Sequence, residues 1–379
     1  MKSTKPPVNA RFLVNVLVKA LLLFLVFNLL FTWINPLPWL GRISAYNLLF
    51  PGRLRLPFGE VPDQAYNLSL FSLDAMFASH EVSRPKAKDE YRVLVVGDSS
   101  VWGTLLTPIQ TLTGQINAGG YHALDGRLIK AYNLGYPTIT LSKDLLIMSH
   151  LRAYQPDLIV WMVTLEAFPR TVQLTSPIVQ HNPQEIRALI QAFQLNLDAH
   201  DPAFVDPTFL QRTIVGQRRA LADLFRLQMY GILWSATGID QYYPATYDLR
   251  ANDQTADASF QGLQPPHLSP NDLSLDVLEA GMKMYSQVPV LLVNEPMFIS
   301  NGANSDIRYN FYYPRWAYDD YRLILTNLSQ EKGWHYLDLW NLVSPSEFTN
   351  SAIHLTPKGA NQLAGKVAES IMNLTGISR

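Results

Sequence analysis

The sequence predicts an α/β chain: a three-layer α/β/α sandwich with a central parallel sheet, an N-terminal transmembrane helix and a mostly helical insertion. Three observations carry this reading. Short runs rich in valine and leucine at 92–96, 128–132, 158–163, 288–293 and 334–339 read as strands buried on both faces. Segments of helical spacing lie between them, which implies right-handed crossovers in a parallel sheet. The first run stops abruptly at Gly97-Asp98-Ser99-Ser100. A serine at the carboxyl end of a central strand, just before a helix, sits where open α/β sheets bind ligands. The helix-start N–H groups beside it can stabilise an anion.

In chain order, residues 1–35 read as a cytoplasmic tip and a transmembrane anchor. The apolar run 12–34, interrupted chiefly by Asn15, Lys19 and Asn28, is long enough to cross a hydrocarbon core of about 30 Å. Lys19 can snorkel to one interface, and Trp33 and Trp39 suit the other. The run is long for a signal peptide, and no small-residue cleavage site follows it closely. Lys2, Lys5 and Arg11 precede it, while Arg42, Arg53 and Arg55 follow it. The free N-terminus adds one positive charge to the first side. The reading is therefore a single-pass protein of the cell membrane with the bulk of the chain outside the cytoplasm.

Residues 36–88 read as a juxtamembrane segment and linker, where Pro36, Pro38, Pro51, Pro57 and Pro62 rule out long helices. The α/β domain occupies 89–170 and 286–379, with helices over 109–117, 141–154, 316–332 and 357–374 and a loop over 344–353. Between its halves, 171–285 reads as the helical insertion, with helices at 183–197, 206–234 and 271–285. The stretch 217–230 has charges on one face and apolar residues on the other. That pattern suits a helix packed on a core; a lid or a membrane-surface helix is the alternative.

Composition excludes several classes. The formal net charge is -1, so nothing points to a nucleic-acid partner. The chain has no cysteine, which excludes disulfides, thiol catalysis and Cys-ligated zinc. His150, His181 and His200 lack metal-ligand spacing.

The chemistry gathers at three loops. Ser99 needs a base to take its proton, and histidine is the usual base at neutral pH. His354, in His354-Leu355-Thr356-Pro357-Lys358-Gly359, stands at the mouth of the last helix. The oxyanion needs preset donors, which the backbone N–H groups of Ser99 and Gly135 can supply. In a doubly wound sheet these loops project from one edge. Bland roles stand beside these: Ser99 as a helix N-cap, His354 bonded to loop backbone, Glu166 paired with Arg170, Asp338 in a strand-end turn, and the aromatic cluster 309–321 as packing.

These residues carry a resemblance to the SGNH (GDSL-like) hydrolases over about 91–168 and 288–374. Gly97-Asp98-Ser99 resembles the family's nucleophile block, and Asn133-Leu134-Gly135 its second block, whose glycine N–H helps form the oxyanion hole. The run 336–340 followed by 354–359 resembles the last block, which holds the histidine base. The resemblance implies a flavodoxin-like α/β/α sandwich and ester hydrolysis or acyl transfer, without metal or organic cofactor. Two departures stand out. The family's oxyanion asparagine after the third strand is replaced by Val163-Thr164-Leu165-Glu166; loss of such a donor ordinarily costs about 10²–10³ in rate. The aspartate three residues before the histidine is replaced by Ser351, with Asn350 beside it. Either could orient the ring, or an acid could come from Glu347, Glu166 or Glu295. With the anchor, the departures resemble membrane-bound relatives that handle acyl groups on cell-surface polymers. That implies an acylated carbohydrate or envelope polymer as substrate and a membrane acyltransferase as partner, beside the bilayer itself. The other reading is a binding or assembly protein on the same fold. A third is a lipase whose insertion forms a lid.

Overall fold

The computed structural model describes residues 9–59, 61 and 63–376; Lys2, Lys5 and Pro62 lie outside the described residues. Helix α1 (Ala10–Ile34) is capped by the Asn9 side chain and ends where Asn35 turns left-handed at φ 46°. Its 25 residues rise about 37 Å. Its apolar side chains are exposed all round, with a mean hydropathy of 2.4 over its core, so its length and composition suffice to cross a membrane.

Two short helices follow, α2 (Leu37–Gly41) and α3 (Ala45–Leu49), and then α4 (Leu73–Ser79). The segment read as a linker is built into the body of the protein. Tyr46, Leu56, Met76 and Phe77 are buried, and so are Arg53 and Arg55. Single parallel bridges pair Arg53 with His80 and Arg55 with Asn133. In sequence these arginines count only as positive charges following the apolar run, and arginine is seldom buried without partners. Here the partners are contributed by elements far along the chain.

The α/β body runs β1 (Glu90–Val96), α5 (Ser99–Trp102), α6 (Leu112–Ala118), β2 (Leu128–Asn133), α7 (Leu141–Met148) and β3 (Leu158–Val163). The insertion contributes α8 (Pro177–Gln180), α9 (Pro183–Phe193), α10 (Arg218–Thr237) and α11 (Leu275–Met284). The body resumes with β4 (Val290–Asn294), α12 (Arg315–Lys332), β5 (His335–Asp338) and α13 (Pro357–Leu374). All five strands are parallel, in the order β2-β1-β3-β4-β5. This is the flavodoxin-like order, whose switch point lies between β1 and β3.

The strands are apolar on both faces because both are covered. Val93, Val95, Ile129 and Val160 face α6 and α13, while Leu94, Val96, Ile159 and Trp161 face α7, α11 and α12. The predicted sandwich is the observed one. Two helices differ most from their predicted spans, while α6, α9 and α11 differ by three or four residues at one end. The stretch 206–217 carries Pro207 and Gly216 and holds only a 3-10 turn at Leu210–Arg212, so the long helix starts at Arg218. The helix predicted over 141–154 stops at Met148 and resumes as a 3-10 turn, Leu151–Tyr154.

Candidate active site

Strand register decides which loops meet. Val95 pairs with Asn133, Val96 with Trp161, and Val163 with Asn294. The strands all point the same way; β1 and β2 end within one residue of each other and β3 and β4 run two residues further, so the loops beginning at Gly97, Leu134, Thr164 and Glu295 share one sheet edge. On that edge α5 starts directly after β1. Asp98 is its N-cap, with Oδ1 accepting from the Ser100 N–H at 2.8 Å. Ser99 takes the first helical position, where a backbone N–H has no intrahelical acceptor.

The histidine arrives from the other end of the chain. Residues 347–356 fold back on themselves: the Thr349 N–H donates to the His354 carbonyl at 2.8 Å, and Thr356 N–H to that of Glu347 at 2.8 Å. The Phe298 N–H donates to the Ala352 carbonyl at 2.7 Å and ties this loop to the exit of β4. Across 255 residues of sequence separation, the Ser99 hydroxyl donates to His354 Nε2 at 2.8 Å. On the far side of the ring, Nδ1–H donates to Asn350 Oδ1 at 2.8 Å. The asparagine thus holds the tautomer that leaves Nε2 free to accept. Burial lowers the His354 pKa to about 4, so the ring is neutral at pH 7 and its Nε2 is unprotonated.

The other acids considered for the third position are engaged elsewhere. Glu347 accepts from Thr356 Oγ1 and Lys358 at the start of α13. Glu295 is buried behind Ser100, whose hydroxyl it accepts. Glu166 accepts from Gln261 Nε2, and burial raises its pKa to about 7. The expected Glu166–Arg170 pair is not formed; Arg170 pairs with Asp276 at 3.0 Å instead. Ser351 is buried beside Tyr312, and the ring's Nδ1 bonds to Asn350 instead. Asp338 ties Asn294 to Arg322.

The donors expected to face an oxyanion are less complete. Gly135 packs against α5 so closely that a Cβ there would lie 2.4 Å from the Trp102 nitrogen. Its N–H donates to Asn133 Oδ1 at 3.1 Å, while Asn133 Nδ2 donates to the Val101 carbonyl at 2.7 Å. Asn133 therefore clamps the glycine turn to the serine helix. Where the resembled family carries its asparagine, the Thr164 hydroxyl is buried and bonded to Tyr313 at 2.7 Å. Gly135→Ala is expected to push α5 aside and cut turnover about 10²-fold or more, at an unfolding cost of about 1–3 kcal/mol. Steady-state kinetics beside denaturant unfolding check both values.

The serine opens into a cavity of about 530 Å³. Ser99, Asn350, His354 and Tyr312 line it. Phe58, Ala65 and Asn67 come from the segment 36–88, and Gln241, Tyr242 and Pro244 from the insertion just past α10. A groove lined by α10 itself, as a lid would require, is not what surrounds Ser99.

Arg55, which the sequence reading left out of the site, joins these layers. It is buried, paired with Asp240 at 2.9 Å, and lies over the Trp102 ring at 4.3 Å. Its Nη1 donates to the carbonyls of Trp102, Gly103 and Leu106 at 3.0–3.3 Å, satisfying the end of the serine helix. Only its isolation amid prolines and aromatics could have marked it.

A second buried group lies beneath the serine turn. Lys143 Nζ donates to the Gly97 carbonyl at 2.7 Å and to Asp144 at 2.5 Å. Asp144 also accepts from Trp161 Nε1 at 3.1 Å. Burial raises the pKa of Asp98 and Asp144, and raises that of Glu295 well above the carboxylate range.

No family model and no curated relative matches the chain. Among solved structures, an aryl esterase from M. smegmatis is 14% identical with a TM-score of 0.33, over 75% of this chain and 99% of its own. A carbohydrate acetylesterase family member from Sinorhizobium meliloti is 13% identical with a TM-score of 0.32, over 76% and 99%. An acetylxylan esterase from Geobacillus stearothermophilus, solved as a catalytic mutant, is 11% identical with a TM-score of 0.35, over 78% and 98%.

Proposed function

We propose that this chain is a membrane-anchored serine esterase or O-acyltransferase of the SGNH type, acting outside the cytoplasm on acyl esters of carbohydrate or other envelope polymers. The observation that carries the reading is the chain of two 2.8 Å hydrogen bonds from Ser99 through His354 to Asn350. Ser99 Oγ attacks the ester carbonyl carbon while His354 Nε2 takes its proton. The Ser99 N–H, and the Gly135 N–H exchanged from Asn133, receive the oxyanion. Collapse expels the alcohol, which takes the proton back from His354, and leaves an acyl group on Ser99. Water or an acceptor hydroxyl, deprotonated by the same ring, then releases it. The anchor and the resemblance, rather than the site, support the envelope location, the polymer substrate and a membrane acyltransferase as partner.

A non-catalytic binding role on the same fold draws support from Thr164, which offers no free donor where the resembled family has one. It is disfavoured by the short Ser99–His354 distance. A fluorophosphonate probe on the full chain separates the two readings. Ser99 is expected to be labelled, with labelling lost in Ser99→Ala and His354→Ala and kept in Ser100→Ala. A folded parent that takes no label would move the assignment to the binding role.

A further inference from the structure

The longest helix of the insertion turns one face to the body and leaves the other uncovered. Leu227, Gly231 and Trp234 of α10 are buried, and Gly231 meets the Tyr46 ring so closely that a Cβ would fall 2.2 Å from it. On the other side, at helical spacing, Phe225, Met229 and Ile232 are 67%, 46% and 43% exposed. Monomeric surfaces rarely keep such a row of large apolar side chains without a use for it. The same helix carries Arg218, Arg219 and Arg226 against a single acid, Asp223. An apolar face flanked by arginines suits the boundary between anionic headgroups and acyl chains.

What covers this face is indicated by where the helix is fastened. It packs on α2 and α3, the elements that directly follow α1. Gln228 is pinned to this segment, accepting from Ala45 N–H at 2.9 Å and donating to the Ile43 carbonyl at 3.0 Å. Only residues 35 and 36 separate α1 from α2, and α2 and α3 themselves leave Trp39, Leu48 and Leu49 exposed. We propose that α10 is a second membrane contact, lying along the bilayer surface with its Phe225-Met229-Ile232 face among the lipids. The inference rests on reading residues 12–34 as a membrane anchor. Its consequence concerns access. The chain leaves α10 through Asp240, locked to Arg55, and then forms the cavity wall at Gln241 and Tyr242. A docked α10 holds the mouth of the Ser99 cavity at the lipid surface, suited to an ester presented there.

The chain has no cysteine, so one introduced cysteine carries one label. Met229→Cys, Ile232→Cys, Leu22→Cys in α1 and Gln362→Cys in α13 would be made in the full chain. Each would carry an environment-sensitive fluorophore and be reconstituted in phosphatidylcholine–phosphatidylglycerol vesicles containing brominated lipid. Emission from positions 229 and 232 is expected to fall about twofold with bromine near the headgroup end of the acyl chain. Emission from position 22 should fall with bromine deep in the chain, and that from 362 with neither. Quenching at 22 without quenching at 229 and 232 overturns the inference and leaves the anchor standing. No quenching at 22 removes the anchor and the inference with it. Labels at 229 and 232 shielded from aqueous iodide yet untouched by bromine assign the face to a protein or a second copy, which also overturns it.

Discussion

Replacing His354 with alanine is expected to lower ester turnover by about 10⁴–10⁶-fold while the unfolding transition stays close to that of the parent. The ring is the one base within hydrogen-bond reach of Ser99 among the described residues, and its loss leaves the hydroxyl un-ionised at neutral pH. The same ring sets the pH profile. With a pKa lowered to about 4 by burial, it is neutral over most of the usual range, so the acid limb of kcat/KM should lie near pH 4. Asn350→Asp tests the third position directly. A carboxylate at 2.8 Å from Nδ1 stabilises the imidazolium, so the histidine pKa rises and the acid limb moves up by about 1–2 pH units. A limb that stays in place, or moves down, would mean that residue 350 does not face the ring during turnover. A His354→Ala loss below about tenfold would remove the histidine from the chemistry altogether.

The sheet was legible because its signals are local. Each strand is a continuous apolar run bounded by glycine, asparagine or proline, and each crossover helix has its own spacing. The observed bounds of β3 and α13 coincide with the expected ones. The insertion was legible only as helical. Nothing local says that Pro207 and Gly216 delay the long helix to Arg218, or that Gln228 fastens it beside α1. The juxtamembrane segment was the least legible of all. A Pro- and Arg-rich stretch reads only as a segment without long helices, and only tertiary structure shows that Arg53 finds Asn67 at 2.7 Å and Arg55 finds Asp240.

For the site, Gly97-Asp98-Ser99 and His354 could be read from motif and context. The choice between Asn350 and Ser351 could not, since it depends on how the 347–356 turn folds. Gly135 illustrates a subtler limit. Its closeness to α5 follows from strand register, but its N–H partner, the side chain of Asn133, depends on a rotamer that spacing does not encode.

Lys143→Met is expected to destabilise the fold by about 3–5 kcal/mol. Lys143 is fully buried, and the methionine fills its space but not its charge. Asp98, Asp144 and Glu295 would then face one another without a cation, and the Gly97 carbonyl would lose its donor. The sign of the pH dependence follows from the same groups. Burial already raises these carboxyl pKa values in the folded state above their unfolded values. Each group therefore favours folding where it is protonated, and that contribution is lost as pH rises through its folded pKa. Removing Lys143 raises the folded pKa values further, so the folded variant binds more protons than the parent. Its deficit should be largest near pH 8 and shrink toward pH 5, as followed by denaturant unfolding across that range. Adding Asp144→Asn removes one of the uncompensated charges while its Oδ1 can still accept from Trp161 Nε1, so the double variant should recover part of the loss. A deficit under about 1 kcal/mol, or one that grows on acidification, would mean that the carboxyls beneath the serine turn are already neutral and that Lys143 holds the Gly97 carbonyl rather than balancing charge. The recovery by Asp144→Asn separates those two roles, because relief of charge restores stability whereas the lost Gly97 bond stays lost.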